Sequence, residues 1–402
     1  MDPRRRSVRS FYLGIALFWA ALYIYVPILS VYAQSLGASL SLVGLIIASY
    51  GAVQLLLRIP LGVASDRLGR RKPFVLAGFL TVGLSCLGLA LATTPQLLFL
   101  SRALAGLAAC TWVTSSVLFA SYFPPQEAVR ATSLLNFFSS GGRVLATTGG
   151  GILAQRFGWA STFWAGVALA LVGLVVMMQA REDANATAQR LAWHDVLRIG
   201  KVPLLMVSSA LATLSQYSSF ATTYGFIPIY AVELGASRAD LGWLTAAVQI
   251  PYTLMAIAAS YLVERVGERM VVVGAALLMA VSTLATPFIP GLGLLALTRV
   301  GYGVGQGLIY PTLMGLSIKA VPESQRASAM GVFQAVYALG MFGGPAISGL
   351  IADHLGLGIM FLATGGLSLG MALLALWGLR IGERVPGSPE LAVTANPGAP
   401  QV

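Results

Sequence analysis

The stretch that decides the fold reads Gly62-Val63-Ala64-Ser65-Asp66-Arg67-Leu68-Gly69-Arg70-Arg71 and lies between two long apolar runs. A related stretch occurs 198 residues later and reads Ser260-Tyr261-Leu262-Val263-Glu264-Arg265-Val266-Gly267-Glu268-Arg269. In this comparison Asp66 corresponds to Glu264, and Gly69 corresponds to Gly267. A short charged turn that contains glycine is typical of the cytoplasmic connection between two membrane helices. Its recurrence at half the chain length therefore predicts a duplicated bundle of membrane helices.

The repeat extends well beyond this turn. Residues 32–39 read YAQSLGAS and align at the same offset with residues 230–237, which read YAVELGAS. Gly44 then corresponds to Gly242. We therefore predict two halves of roughly 200 residues that share one topology and are related by an axis along the membrane normal.

Hydropathy identifies the class of protein. The chain has 402 residues, of which 57% are hydrophobic and only 10% are charged, whereas globular proteins carry roughly 25% charged residues. Apolar runs of ~20 residues are long enough to cross the hydrocarbon core of a bilayer. The twelve runs that we assign as spans are residues 11–34, 42–64, 74–93, 97–122, 131–154, 160–180, 203–231, 240–263, 270–289, 293–320, 327–350 and 357–380. The predicted fold class is an all-α membrane protein with twelve transmembrane helices.

The basic residues predict the orientation of the chain. The net charge is +11, with 25 Lys and Arg against 14 Asp and Glu. With the N-terminus inside, most Lys and Arg fall at cytoplasmic helix ends or loops, which is the positive-inside asymmetry of membrane proteins. The charge therefore reflects topology and does not point to a nucleic-acid partner. We predict a multi-pass protein of the cytoplasmic membrane with both termini in the cytoplasm.

The same runs predict how the chain is divided. An N-terminal six-helix half covers residues 1–180, a cytoplasmic linker covers 181–202, a C-terminal six-helix half covers 203–384, and a tail covers 385–402. In the linker, the apolar Leu191, Val196 and Leu197 together with the basic Arg190, His194 and Arg198 predict a short amphipathic helix on the inner membrane surface. The tail is rich in Pro, Gly and Ala and is predicted to be disordered.

The first charged turn also carries a motif. The pattern G-x-x-x-D-R-x-G-R-R is matched at Gly62, Asp66, Arg67, Gly69, Arg70 and Arg71. In this the chain resembles the major facilitator superfamily, and in general appearance its bacterial 12-helix members that export drugs or organic solutes. The resemblance implies two pseudo-symmetric halves around a central cavity and secondary transport by alternating access. It also implies that the six motif residues form a conformational lock, whose contacts exist in only one state. The alternative for this turn is a positive-inside anchor loop.

Four arginines lie within the predicted spans, namely Arg58, Arg102, Arg143 and Arg299. A charge inside a membrane is costly unless it is paired or hydrated, and none of the 14 carboxylates falls in the middle of a span. Arg143 lies ~18 Å into the fifth span, near the bilayer centre. We predict substrate or coupling roles for these arginines. The alternative is a structural arginine that is hydrogen-bonded to backbone carbonyls of neighbouring helices.

Further polar and aromatic residues fall on the helices that line the central cavity of the family. The candidates are Tyr23, Trp112, Asn136, Gln216, Tyr217, Gln306, Tyr310 and Gln334. Each alone could be a packing residue, but as a set they suit an amphipathic organic substrate, because few of them would be satisfied in dry lipid. The arginines favour an anionic or neutral substrate, since a lipophilic cation would meet a field of its own sign.

Catalytic and metal-binding patterns are absent from the sequence. There is no phosphate-binding G-x-x-x-x-G-K-[ST] motif, and the two histidines and two cysteines are widely separated. We therefore predict no enzyme, no ATP-driven pump, no cofactor and no metal. The predicted partners are a small-molecule substrate, membrane lipids and, for a coupled transporter, protons. We expect a monomer.

Three functions remain open at this point. Export of an organic solute is favoured by the general resemblance, proton-coupled uptake of an organic anion is the second, and a lipid flippase or a non-transporting receptor is the third. Antiporters of the family commonly carry G-x-x-x-G-P-x-x-G-G on the fifth helix. The fifth span here has Gly141-Gly142-Arg143 and no proline, and a closer form lies at residues 340–349. This departure weakens the prediction of antiport.

Overall fold

The computed structural model describes residues 3–123, 127–182, 202–322 and 325–380. Its α-helices are α1 Pro3–Tyr23, α2 Val26–Ser35, α3 Leu40–Leu68, α4 Lys72–Ala90, α5 Pro95–Cys110, α6 Trp112–Ala120, α7 Ala128–Phe157, α8 Trp159–Met178, α9 Pro203–Ala221, α10 Ile227–Glu233, α11 Arg238–Val266, α12 Glu268–Leu284, α13 Leu292–Lys319 and α14 Arg326–Gly378. No strand occurs in these four ranges, and nine of their helical segments are long and apolar enough to cross a membrane.

The helices follow the order of the twelve predicted spans. Together α1 and α2 cover the first span, α5 and α6 cover the fourth, and α9 and α10 cover the seventh through a π-helical turn at Thr222–Phe226. The last two spans both fall in α14, whose backbone breaks at Gly356 with φ 85°. Glycine adopts this conformation without the steric penalty that other residues would incur. The predicted all-α membrane fold class is confirmed.

Two terms are used below for the described parts of the chain. Residues 3–182 are called the first half, and residues 202–380 are called the second half. The predicted amphipathic helix of the linker and the predicted disordered tail at 385–402 lie outside the described residues.

Glycines bring helices into backbone contact at equivalent places in both halves. A Cβ on Gly106 would lie 2.5 Å from the carbonyl oxygen of Tyr50, and a Cβ on Gly303 would lie 2.3 Å from that of Val248. Small residues permit this close approach of membrane helices. The two glycines are 197 residues apart and the residues they contact are 198 residues apart, close to the offset of the sequence repeat, so the contacts agree with the predicted duplication. The domain boundaries themselves stay a prediction.

The halves meet at the end of the bundle opposite the chain termini, which we call the distal end. There α3 crosses α14, and a Cβ on Gly44 would lie 2.3 Å from the carbonyl oxygen of Pro345. On the other side α7 crosses α11, and a Cβ on Gly151 would lie 2.8 Å from the Cα of Gly242. Because Gly44 and Gly242 are equivalent in the repeat, the same kind of glycine crossing closes the distal end on both sides.

Hydrogen bonds between the halves accompany these crossings. The Ser41 hydroxyl donates to Asp353 Oδ2 at 2.7 Å. Arg238 donates its backbone N–H to Gln155 Oε1 at 3.1 Å and its Nη1 to the carbonyl oxygen of Ala154 at 3.2 Å. Exposed contacts of this type contribute little individually. The buried glycine crossings therefore account for most of the closure at this end.

The contact between α3 and α14 continues from the distal end to the middle of the bundle. Gly44, Gly51 and Arg58 follow one face of α3 at intervals of seven residues, and we call this face the α3 seam. A Cβ on Gly51 would lie 2.5 Å from the carbonyl carbon of Met341. Further along, Arg58 donates to the hydroxyl of Tyr337. The seam thus joins the two halves over about half of α3, roughly 20 Å of helix between Gly44 and Arg58.

Candidate functional site

A cavity of about 150 Å³ lies in the middle of the bundle, between the two halves. Its walls come from α1, α3, α6 and α7 of the first half and from α9, α11, α13, α14 and the π-helical turn of the second half. The lining residues are Trp19, Tyr23, Tyr50, Gln54, Arg58, Trp112, Asn136, Ser139, Arg143, Ser215, Gln216, Phe220, Tyr224, Gln249, Tyr252, Gln306, Tyr310, Tyr337 and Met341. The cavity is therefore polar and aromatic, and both halves contribute to it.

Arg143 projects into this cavity from the middle of α7. Its guanidinium carbon lies 5.2 Å from the ring centre of Trp19 and 5.6 Å from that of Tyr23. Its Nη2 donates to the Ser140 hydroxyl at 3.1 Å, while its buried Nε has no hydrogen-bond partner in the protein. Aromatic faces stabilise the cation, but they do not neutralise it.

Arg58 reaches the same cavity from α3. Its Nη2 donates to Gln54 Oε1 at 2.7 Å, and its Nη1 donates to the Tyr337 hydroxyl at 3.1 Å. The side chain is 7% exposed, and its Nε has no hydrogen-bond partner in the protein. Because Tyr337 belongs to α14, this buried hydrogen bond links the two halves at the level of the cavity.

The charge of the cavity is uncompensated by its walls. Among the residues that the structure describes as lining it, two are arginines and none is Asp or Glu. Both guanidinium groups are held by neutral acceptors and aromatic rings. A low-dielectric chamber with two such groups has a positive potential and attracts anions.

Aromatic side chains form much of the remaining surface, and several of them meet across the two halves. Tyr23 contacts Tyr224 with ring centres 5.9 Å apart, and Tyr50 stacks on Phe220 at 6.0 Å. Flat, amphipathic rings supply a large apolar contact area together with polar hydroxyl groups. The walls can therefore accommodate the apolar body of an organic molecule.

Amide groups complete the polar surface of the cavity. Gln249 Nε2 donates to the Tyr224 hydroxyl at 3.0 Å, and Gln306 Nε2 donates to the Ser219 hydroxyl at 2.6 Å. Each of these amides keeps further donor and acceptor capacity. They can therefore orient polar groups of a bound solute.

Comparison with known families decides the identity of this bundle. The model of the Major Facilitator Superfamily matches residues 11–224 and again residues 209–398. The chain belongs to this superfamily. It is a major facilitator transporter, and nothing in this family membership indicates catalysis.

Individual relatives agree with this assignment. An uncharacterized MFS-type transporter of Methanocaldococcus jannaschii is 25% identical over 346 residues, which cover 83% of this chain and 88% of that protein. The multi-drug resistance efflux pump PmrA of Streptococcus pneumoniae is 24% identical over 369 residues, or 89% of this chain and 92% of that protein. A solved bacterial homolog of the human lysosomal transporter Spinster, inward-facing and unoccupied, is similar with a TM-score of 0.82 and 15% identity, covering 96% of this chain and 100% of that chain. The last likeness shows the fold alone.

The transporter brings most of the sequence-predicted substrate residues together. Eight of them line the cavity, namely Tyr23, Arg58, Trp112, Asn136, Arg143, Gln216, Gln306 and Tyr310. Their roles in binding or coupling stay predictions, but their positions permit direct contact with a solute.

Two predicted arginines lie elsewhere. Arg102 lies behind the cavity wall, with its guanidinium 4.3 Å from the ring centre of Tyr50 and its Nη1 donating to the Tyr25 hydroxyl at 2.9 Å. Arg299 is fully buried within the second half and does not line the central cavity. Arg299 donates to the Ser282 carbonyl oxygen, as in the alternative of a structural arginine, whereas Arg102 donates to a tyrosine hydroxyl. Their substrate or coupling roles stay predictions.

Tyr217 and Gln334 are also outside the lining of the central cavity. The Tyr217 hydroxyl accepts a hydrogen bond from Ser348 at 3.2 Å, and the backbone of Tyr217 packs against Gly344 of α14. Gln334 is half-buried, and its side-chain oxygen has no hydrogen-bond partner in the protein. Neither position provides contact with a solute in the cavity.

Several lining residues were not predicted from the sequence. The most informative are Gln249 and Tyr252 on α11. Tyr252 follows Gln54 by the repeat offset, so transferring the polar face of α3 onto α11 would have found it. Gln249 corresponds to Gly51, which is not polar, and the repeat therefore gave no signal for it.

The predicted conformational lock lies at the end of the bundle that carries the chain termini. Gly69 forms the turn between α3 and α4 with φ 63°. The backbone N–H groups of Arg71 and Lys72 donate to the Glu182 carboxylate, which thereby satisfies the N-terminus of α4. The side chain of Asp66 lies outside the described part of the chain. The lock function of this turn stays a prediction.

Three further motif residues lie at the protein surface or have free space beside them. Arg67 and Arg70 are exposed, and a Cβ on Gly62 would meet no atom within 4 Å. In the second copy of the turn, Glu268 pairs with Lys319 of α13 at 2.8 Å. This ion pair joins the second turn to α13.

Proposed function

We propose that this transporter moves a small organic anion with an apolar or aromatic body across the membrane by alternating access. The observation that carries the proposal is a cavity between the halves in which Arg58 and Arg143 face aromatic walls without a lining carboxylate. An anion would supply the counter-charge that the described walls lack. Charge-assisted hydrogen bonds from guanidinium groups are the strongest polar contacts that such a site can offer.

Arg143 is the first candidate for the anionic group. It lies near the middle of α7 and lines the cavity, and its planar guanidinium can present an edge of N–H donors to an anionic group. Trp19 and Tyr23 flank the guanidinium and leave room for the apolar body of the solute. We propose that the anionic group binds to this edge while the apolar body packs against the aromatic walls.

Alternating access would require the distal glycine crossings to open when the opposite end closes. The Arg58–Tyr337 hydrogen bond links the halves beside the proposed binding site. A solute that takes up donors of Arg58 would weaken that link in the same step in which it binds. Binding and rearrangement would then be coupled, because the solute interacts differently with the two states.

Export is the direction that we propose, because relatives are named as multi-drug and sugar efflux transporters. Proton-coupled uptake of an organic anion is the second candidate, since the same positive cavity fits an anion moving inward. An arginine does not release its proton at working pH, and no carboxylate lines the described cavity. Any proton that is transported would therefore move with the solute or through acids at helix ends.

A matched ligand series tests the proposal. Binding of an aromatic carboxylate, its neutral amide and the corresponding primary amine is measured by calorimetry on purified protein. We expect the carboxylate to bind best and Arg143→Gln to weaken it by about 10–100-fold, equivalent to ~1.5–3 kcal/mol for hydrogen bonds to a charged group. Arg156→Gln is the matched control, because Arg156 is an exposed arginine at the end of the same helix. The proposal would be refuted if the amine bound as tightly as the carboxylate and if Arg143→Gln left both affinities unchanged.

A further inference from the structure

A second, much smaller cavity lies inside the second half, and we call it the Arg299 pocket. Its volume is about 10 Å³, which is room for a single small particle. It lies between the π-helical turn, the start of α10, α11 and α13, and its polar lining residues are Thr223, Thr245 and Arg299. It shares no lining residue with the central cavity.

Arg299 enters this pocket as a fully buried cation. Its Nη2 donates to the Ser282 carbonyl oxygen at 2.9 Å and to the Thr286 hydroxyl at 3.0 Å. Its Nη1 is buried and has no hydrogen-bond partner in the protein. All of these described acceptors are neutral, so they satisfy hydrogen bonds without cancelling the charge. An isolated charge at this depth is strongly unfavourable unless an anion accompanies it.

Thr223 supplies a second unpartnered donor to the same pocket. Its side chain is 4% exposed, and its hydroxyl has no hydrogen-bond partner. Threonines in regular helices usually donate to a carbonyl oxygen one turn back, as Thr245 does to Leu241 at 2.9 Å. Thr223 lies in the π-helical turn, where the ladder of hydrogen bonds is displaced. Its hydroxyl therefore remains available to a particle in the pocket.

We propose that the Arg299 pocket binds one monovalent anion of halide size, held by Arg299 Nη1 and the Thr223 hydroxyl. Two residues that line this small space each carry an unpartnered donor, one of them with an uncompensated positive charge, and a chloride ion would satisfy both donors and the charge. A water molecule would accept the hydrogen bonds but would leave the charge uncompensated.

The site has a direct connection to the central cavity. Tyr224 follows Thr223 in the π-helical turn, lines the central cavity and contacts Tyr23 of the first half. An anion that orders the π-helical turn would therefore also order this part of the cavity wall. The inference does not depend on the transported solute, because it rests on buried groups of the second half alone.

Halide-dependent stability tests this proposal without a transport assay. Thermal unfolding of the purified full chain is followed in sodium gluconate at fixed ionic strength while chloride or bromide replaces gluconate. We expect a saturable rise of Tm by roughly 2 °C or more in the wild-type protein. Thr223→Val should raise the halide concentration at half-effect by about tenfold, since one hydrogen bond to the ion is lost. Arg299→Met should abolish the rise.

Controls separate the pocket from surface effects of salt. Thr283→Val makes the same substitution at a buried threonine of α12 whose hydroxyl donates to Met279, and it should keep the wild-type midpoint. If Arg299→Met does not fold, Thr223→Val still decides the question. Crystals grown in bromide should show an anomalous peak beside Arg299. Identical halide midpoints in wild-type and Thr223→Val protein, or an ordered water without anomalous signal in the pocket, would overturn the proposal.

Discussion

The buried hydrogen bond between Arg58 and Tyr337 makes a strong prediction about the conformational equilibrium. Tyr337→Phe removes the hydroxyl that accepts from Arg58 Nη1 at 3.1 Å and keeps the ring that lies 5.7 Å from the guanidinium carbon. The variant therefore removes one link between the halves with little change in packing. We expect the state in which the halves are joined along the α3 seam to lose population.

The magnitude follows from the surroundings of the bond. A hydrogen bond to a charged group contributes ~1.5–3 kcal/mol, and each ~1.4 kcal/mol changes an equilibrium tenfold. Arg58 keeps its 2.7 Å hydrogen bond to Gln54, and the adjoining cavity of about 150 Å³ can admit water to the freed donor. Both factors place the effect at the lower end. We therefore expect a shift of the equilibrium by about tenfold.

This equilibrium can be measured as the distance between two spin labels on equivalent helices, placed at the end of the bundle that carries the chain termini. Leu68 on α3 and Val266 on α11 are 63% and 53% exposed and are related by the repeat, so cysteines placed there can be labelled. The native cysteines, Cys86 and Cys110, are buried. The ratio of the two distance populations is compared between the wild-type protein and Tyr337→Phe, in the absence of solute.

A matched control is Tyr252→Phe, which removes a hydroxyl from the same cavity. The described hydrogen bonds include none from Tyr252 to the first half, so this variant should leave the population ratio within about twofold, or ~0.4 kcal/mol. A ratio in Tyr337→Phe equal to that of the wild-type protein would refute the assignment of this bond as a link between states. A shift of the same size in both variants would show that general loss of polarity is responsible.

Three further predictions concern the ends of the helices. Asp66→Asn should slow exchange between states and transport while leaving equilibrium solute affinity within about threefold, under ~0.7 kcal/mol; a large loss of affinity with normal exchange would contradict the lock. Neutralising Asp66, Glu233 and Asp240 one at a time should identify one position that abolishes pH-driven flux in proteoliposomes while counterflow persists; if all three keep full pH-driven accumulation, protons move with the solute or another ion is used. Gly44→Ala places a Cβ 2.3 Å from a carbonyl oxygen of α14 and should disfavour closure of the distal end by spin-label distances, whereas Gly62→Ala on the same helix meets no atom within 4 Å and should not; equal behaviour of the two variants would exclude the glycine crossing as a closure contact.

The order of the helices and the depth of a residue within the membrane could be predicted from the sequence, because both follow from counting residues in apolar runs. The charged turns and the repeat placed α3 and α11 at equivalent positions, the depth of Arg143 placed it near the bilayer centre, and Arg58 was assigned to the interior of the second span. Both residues line the central cavity. The position of a residue along its membrane helix depends on the length and composition of the apolar run, and a single sequence contains both.

The direction of a side chain around its helix could not be predicted in the same way. Gln216 and Tyr217 are adjacent, and neighbours on an α-helix point about 100° apart. Gln216 lines the cavity, whereas Tyr217 packs against α14. Arg102 and Arg299 also fall within predicted spans, but their side chains contact residues of their own halves. Rotation is set by packing against neighbouring helices, and hydropathy alone does not contain that information.

The α3 seam has a consequence for how a duplicated protein can acquire a binding site. On α3 and α14, Gly51 packs against the backbone of Met341 between the halves, and Met341 also borders the central cavity. Their counterparts 198 residues away are Gln249 on α11 and Arg143 on α7, which both line the central cavity. At these positions the crossing of α3 with α14 thus has a close backbone contact, whereas the crossing of α7 with α11 carries polar groups that face the cavity. If the two copies specialise in this way, substitutions on α7 and α11 can change which solute is bound, while α3 and α14 continue to hold the halves together.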